Sequence, residues 1–495
     1  MIWTIIAVLV ALYYYFTAYF NFWKNRSISG PKPVPIFGNM FSVITCRESL
    51  RNFIQELYVR YKNEPMYGIF VRRKPVLVVQ DPEIIKDVLI KDFPKFANRG
   101  FLMHDIAEPL SQHIFSLEAK RWRPLRTHLS PVFTSAKLKG MFSLILECSN
   151  HLESYLDTLV TKGEIVEIRE VAAKFTTNVI GSCAFGIDMN SLTEEESQFR
   201  RIGKDIFHVR GMRLLRLRFK ECMGDLYNFL GYFLPYDKVT VFLKKLTVDT
   251  LKYRQEHNVV RHDFMNTLLE LRNHPEKLKE IELSDNFLAA QAFLFFAAGF
   301  ETSSTTMTNA LYELALNQDV QDKLREELIE FSAKNDGEWS YETIKEMTYL
   351  DKVFKETLRK YPVSVLLLRE TTENYIFRDM KVSIPKGQKV WIPMFSIHRD
   401  PNIYPEPEKF DPERFSEEAV EARHPMHYLP FGLGPRNCIG ARFGTYQTKI
   451  GLIKILRSHK VDVCEKTPIP YEFCPVAFVL VPKGGVHLKV TKIEN

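Results

Sequence analysis

The stretch PFGLGPRNCIGARFG, residues 430–444, places one thiol, Cys438, among four glycines and two arginines. A cysteine acts as metal ligand or nucleophile in its thiolate form, which helix N-termini and nearby cations favour. Cys438 follows a Gly/Pro turn and precedes IGARFGTYQTKIGLIKIL, whose apolar spacing predicts a helix. The thiol is therefore expected at a helix N-terminus, with a lowered pKa. Gly434 would free the backbone to bend, and Gly440 would let the helix approach a flat ligand closely. Arg436 offers fixed charge for a carboxylate. No second Cys or His stands at zinc-site spacing, so a single axial thiolate fits better than zinc. Gly432 and Gly434 do not open a dinucleotide loop, because Asn437 occupies the third position and no strand leads into the turn.

A second chemical feature lies in NFLAAQAFLFFAAGFETSSTTMTNALYELAL, residues 286–316. The length and apolarity predict a helix crossing the core. Its centre contradicts that setting, since Gly299, Glu301, Thr302 and four further hydroxyl residues are poor choices for a buried helix. A buried carboxylate is costly unless paired or used. Gly299 and the hydroxyls would permit a local bulge. Phe295, Ala298 and Thr302 share one face, against which something flat could lie with Thr302 touching a small reactant. A polar seam satisfied by a neighbouring helix is the competing account.

These residues need a scaffold. The chain has 495 residues, 45% of them apolar, and no linker or repeat, which predicts one large domain behind an N-terminal segment. Seven cysteines without a CxxC pair suit a reducing compartment. A net charge of +7 is unlike a nucleic-acid binder; it suits an anionic membrane or acidic partner, or an ordinary surface. Residues 1–23 carry no charged side chain and are expected to form a retained transmembrane anchor, with Lys24, Arg26 and Lys32 placing the body on the cytosolic side. Residues 24–39 read as a basic linker whose alternate prolines keep it stiff. Residues 40–495 would form the catalytic domain. Segments 147–160, 321–334 and 349–361 have helical spacing, whereas PVLVVQ (75–80) and GQKVWIP (387–393) alternate as strands do. The fold class is mainly α with small β-sheets. RGMRLLRLRFK (210–220) has two readings, a solvated amphipathic face or a second membrane contact.

FGLGPRNCIG matches the FxxGxRxCxG haem-binding signature of the cytochromes P-450, with Phe431, Gly434, Arg436, Cys438 and Gly440 in register. AGFETSS (298–304) resembles the family's oxygen-activation motif, KETLR (355–359) its ExxR pair, PERF (412–415) the third member of that ion cluster, and WRPLR (122–126) its WxxxR element. The resemblance runs from the anchor to about residue 480 and looks nearest to the insect microsomal family-six enzymes, which often handle plant compounds and insecticides. It implies the P-450 fold, haem on the Cys438 thiolate, Ala298 beside it, and Thr302 and Glu301 passing protons to oxygen. It further implies propionates held by Arg436, Trp122 and Arg126, with Arg369 and Arg99 in matching but less specific positions. Glu356, Arg359 and Arg414 are read as structural. Where many relatives have Tyr-Pro-Pro, this chain has Tyr361-Pro362-Val363-Ser364, so substrate analogy weakens there.

The same resemblance implies a lipophilic substrate, O2, and electrons from NADPH through a separate reductase, with cytochrome b5 as an optional donor. It also implies residence at the endoplasmic reticulum membrane and no nucleic-acid partner. Substrate contacts would come from 100–118, 205–240, Phe295–Thr302, Val363–Leu368 and Val476–Leu480. His104 and His113 could tune the pocket, or be solvated surface. Lys120, Arg121, Arg123, Lys137, Lys139 and Arg442 could dock an acidic reductase, or be ordinary surface charge. Two other classes stay open, a peroxide isomerase or dehydratase of the same fold and a tethered haem sensor.

Overall fold

The computed structural model describes the chain except residues 190, 193–196, 208–211, 262, 378–379, 476–478 and 494–495, and the side chains of 212–214 and 222. At its N-terminus, helix α1 (Ile2–Thr17) buries none of its residues. It is shorter than the expected anchor, because beyond Thr17 the backbone passes from α-helical into tighter turns, Phe20 N–H bonding Thr17 O and Phe22 N–H bonding Tyr19 O. Among the described residues no helix is long and apolar enough to cross a membrane.

Beyond α1 the chain packs into the body. Trp23 is buried and its indole N–H donates to Ile69 O at 3.0 Å. Its ring fills the space a side chain at Gly68 would occupy, an added Cβ there falling 2.3 Å from Trp23 Cγ. This contact, ahead of the prolines, ties the N-terminal segment to strand β1 (Met66–Val71). Strand β2 (Lys74–Val79) pairs antiparallel with β1.

Farther along the chain, with shorter elements between, lie helices α2 (Ala119–Leu129), α3 (Ser135–Thr161) and α4 (Ile168–Ile180). Beyond the helix Gln198–Phe207 lie α5 (Met212–Cys222) and α6 (Gly224–Leu230). Arg216 donates to Tyr227 Oη, Arg218 to Ile44 O and Lys220 to Glu108, so these cations of the 210–220 stretch are engaged by the protein. Arg210 and the side chain of Arg213 lie outside the described residues.

The centre of the molecule is α7 (Asp285–Leu316), 32 residues long and capped by Ser284, whose hydroxyl accepts Phe287 N–H. It packs on α4, and at Gly299 the approach leaves no room for a side chain: a Cβ there would stand 2.2 Å from Ile180 Cδ1. No bulge forms, contrary to expectation. The hydroxyls bond back within a regular helix, Thr302 to Ala298 O, Thr306 to Thr302 O and Thr308 to Ser304 O, which satisfies them without breaking it.

Helix α8 (Thr348–Lys360) buries Glu356 and Arg359. Strands β3 (Leu367–Glu370) and β4 (Lys389–Ile392) complete a four-stranded sheet in the order β1-β2-β4-β3, with β2 and β4 parallel. Helix α9 (Ala441–Ser458) runs back through the core. The main apolar core joins α2, α3, α4, α7 and α9; a second joins Trp23 and Phe70 to the sheet and Leu429. The expected helices and strands thus lie in Ser135–Thr161, Gln318–Lys334, Thr348–Lys360, β2 and β4.

Candidate haem site

The Cys438 loop is folded by its glycines. Gly432 and Gly434 adopt φ of +66° and +76°, and a Cβ at Gly434 would lie 1.9 Å from Leu89 O. Only glycine meets both demands. Cys438 N–H donates to Phe431 O at 2.8 Å. Phe431 stacks loosely on Phe354. Gly440 is the N-cap of α9, and a Cβ there would meet only the Phe133 ring at 3.6 Å. No protein contact therefore requires a glycine at 440.

Protein surrounds Cys438, yet its own surface is left uncovered. Burial pushes the thiol pKa up; the Gly440 N–H and the charges of Arg126 and Arg99 pull it down but do not prevail. This corrects the expectation of a lowered pKa: the protein's cations alone do not make the thiolate, whereas a coordinated metal deprotonates a thiol outright.

Arg99, Arg126, Arg369 and Arg436 converge beside the cysteine, close enough for Arg99 to feel the other three charges. Burial and mutual repulsion hold Arg436 down at about 9, and burial holds Arg369 at about 10. Their bonds go to neutral groups. Arg99 donates to Phe115 O and Arg436 O, Arg126 to Asn437 O and Oδ1, Arg369 to Leu368 O, and Arg436 to Leu117 O. Arg436 Nε and Nη1 and Arg369 Nε are buried without partners. Trp122 lies under Arg436, its ring 4.4 Å from the guanidinium carbon. Glu118, the carboxylate nearest Arg436 in effect, is held by Arg121 at 2.6 Å. Buried charge of one sign without a counter-ion is costly, so the site calls for a ligand carrying carboxylates. A haem, with two propionates and an iron for Cys438, fits these donors.

On α7, Ala298 is exposed although Ala297 and Phe300 beside it are buried, and Thr302, one turn on, is partly exposed. Three successive carbonyls here take side-chain donors, Ala298 O from Thr302, Gly299 O from Gln447 and Phe300 O from Thr176. Glu301 points elsewhere. It is buried and accepts from Arg169 on α4 at 2.5 Å. Phe295 likewise leaves the Ala298 face, stacking between Phe264 and Phe133 at 4.3 and 5.5 Å. The face is set by i, i+4 from Ala298 to Thr302, while the wider Phe295–Thr302 span packs mostly into the core.

His113 is not solvated surface: burial and Arg99 hold its pKa at about 4, and its ring lies 6.0 Å from Phe293 on α7. His104 is buried too, edge-on to Tyr227. Residues 476–478 of the expected substrate contacts lie outside the described residues.

Glu356 and Arg359 form a fully buried bidentate pair, at 2.7 and 2.8 Å, and Arg414 stands 3.6 Å from the same carboxylate. Of the expected docking cations, Arg121 and Lys139 pair with Glu118 and Glu342, and Arg442 bonds Ser135 Oγ at 3.0 Å. Lys120, Arg123, Lys137 and Arg442 are exposed. Sequence reasoning did not find Arg169, Gln447 or Asn437. Asn437 lies inside the signature, between Arg436 and Cys438, at a position whose residue type the signature leaves open; the other two act across more than a hundred positions and leave no local spacing.

A cytochrome P450 family model matches residues 28–489. Among similar proteins, probable cytochrome P450 6a14 of Drosophila melanogaster is 41% identical over 488 residues, covering 96% of each chain. Cytochrome P450 6a2 of the same fly is 40% identical, covering 100% of this chain and 99% of its own. Cytochrome P450 6A1 of Musca domestica is 41% identical, covering 99% and 97%. Together with haem-suited arginines around a single cysteine, these matches place the chain in the cytochrome P450 family, the haem-thiolate monooxygenases.

Proposed function

We propose that this P450 inserts one oxygen atom of O2 into a lipophilic small molecule such as a plant compound or insecticide. Its electrons would come from NADPH through a separate reductase, at the endoplasmic reticulum membrane with the body on the cytosolic side. The observation that carries the reading is the cluster of four arginines around the uncovered Cys438, Arg369 and Arg436 buried and Arg99 and Arg126 partly so, without a carboxylate partner among the described residues. Haem bound there through Cys438 supplies the activation of O2, the thiolate pushing electron density onto iron.

The chain's own residues then divide the work. Arg99, Arg126, Arg369 and Arg436, with Trp122 under Arg436, would hold the propionates. Ala298 leaves room for a flat ring, and Gly440 leaves room on the cysteine side. Thr302 holds a proton at Oγ1, now spent on Ala298 O at 2.7 Å, and can turn it toward the reacting oxygen by rotating χ1. Glu301 can refill that proton only by parting from Arg169, which makes the ion pair a brake on delivery. Glu356, Arg359 and Arg414 brace the cysteine side.

Exposed apolar residues support a membrane setting. Much of α1 is uncovered, and so are Phe229, Tyr232 and Phe233 at and after the end of α6, a pattern that suits a lipid surface. Lys120, Arg123 and Arg442 suit an acidic reductase.

The test is reconstitution with a microsomal reductase and lipid, following NADPH-dependent product from plant phenolics, insecticides, fatty acids and steroids. Oxygenated product that requires the reductase is expected. Thr302→Ala should lower product per NADPH consumed, approaching ~10²-fold, the low end of general acid contributions. Haem binding with no reductase-dependent product on any class would sink the proposal and favour a peroxide isomerase or a sensor.

A further inference from the structure

Between the Glu356–Arg359 pair and the cysteine loop stands one residue that bonds to both. His398, fully buried after β4, accepts Arg359 Nη1 at its carbonyl, 3.0 Å away. Its imidazole Nε2 accepts the backbone N–H of Leu429 at 2.9 Å. Leu429, itself fully buried, accepts Gly432 N–H at its carbonyl, and Phe431 O accepts Cys438 N–H. Hydrogen bonds joined through the covalent frames of His398 and Leu429 thus lead from the ion pair to the thiol residue.

Because Nε2 accepts, the proton must sit on Nδ1, which is buried near the Leu358 and Arg359 backbone without a hydrogen-bond partner. The neutral form is secured by burial beside Arg359 and Arg399, which push the imidazole pKa down to about 3. The Leu429 N–H is buried and would be orphaned without this acceptor. Tyr428, stacked on His398, adds a parallel tie through its hydroxyl to Lys355 O at 3.0 Å.

We propose that His398 is a positioning residue for the haem ligand, its neutral Nε2 clamping the Cys438 loop to the Glu356–Arg359 pair through Leu429 N–H. This rests on Cys438 being the axial ligand. A packing role alone would require only a ring against Tyr428. The two accounts separate on the acceptor atom.

The test compares His398→Phe, which keeps a stacked ring without an acceptor, with His398→Gln, which keeps an acceptor without a ring. His398→Leu is a second acceptor-free variant, so a folding failure of Phe or Leu leaves the comparison intact. In the haem-loaded full-length protein, haem transfer to an apo-globin trap and the thiolate-ligated share of the ferrous carbonyl spectrum are measured. The acceptor-free variants should lose haem about 10- to 100-fold faster, as when an outer-shell partner of a metal ligand is removed, and should shift toward the thiol-ligated spectrum. Gln should stay near wild type in both. Wild-type behaviour of Phe or Leu, or equal loss in Gln and Phe, would overturn the proposal. A wild type without the thiolate signature would instead overturn the assignment of Cys438.

Discussion

At the residue scale, the four arginines around Cys438 carry the most concentrated unpaired charge in the site. Replacing Arg436 by Leu removes two orphaned N–H groups and one charge from a repelling set. The haem-free protein is expected to melt no lower than wild type, whereas haem affinity should fall about 10- to 100-fold; thermal scans with and without haem check both. His398 gives a pH dependence. Its imidazole titrates near 6.5 when unfolded but near 3 when folded, because burial and the charges of Arg359 and Arg399 disfavour the cation, with Tyr428 stacked on its face. The folded state therefore binds fewer protons, so its contribution is complete above about pH 6.5 and falls away as pH drops toward 3. His398→Gln should flatten that part of the melting curve against pH; an unchanged slope would count against a buried neutral imidazole.

At the element scale, α7 is an unbroken helix whose defects lie in its neighbours. Gly299→Ala should cost about 1–3 kcal/mol from overpacking against Ile180. Ile180→Val, which removes the clashing Cδ1, should recover much of it in a double-mutant cycle. Arg169→Met strands Glu301 as a buried unpaired carboxylate, a loss of about 3–5 kcal/mol. Adding Glu301→Gln should restore most of that stability while slowing proton delivery, which denaturant melts and NADPH coupling read separately.

These two helices also show what a sequence can carry. The Cys438 loop was legible because one ligand imposes glycine, arginine and cysteine on closely spaced, alternate positions. Ala298 and Thr302 were legible because a helix repeats its faces at fixed spacing. The Arg169–Glu301 pair spans 132 positions, and nothing near Arg169 distinguishes it from any exposed helical arginine. The absent bulge was misjudged for a related reason. Gly299 answers Ile180 on another helix, and local propensity cannot see that demand.

At the scale of the whole molecule, the second core gathers Trp23, the sheet and Leu429 into one cluster. The first residues of the body therefore press on the layer that also receives the cysteine loop. The Trp23 ring seated on Gly68 determines where the chain can be shortened. Removing residues 1–17 takes away only an unburied helix, and the remainder should keep its haem and gain solubility. Removing residues 1–27 pulls the indole from Ile69 O and opens an apolar socket on β1. That shorter protein should melt lower and aggregate, even though both cuts delete the same greasy stretch. Light scattering and melting of the two products decide it. Trp23 is the first buried residue of the chain, ahead of every proline.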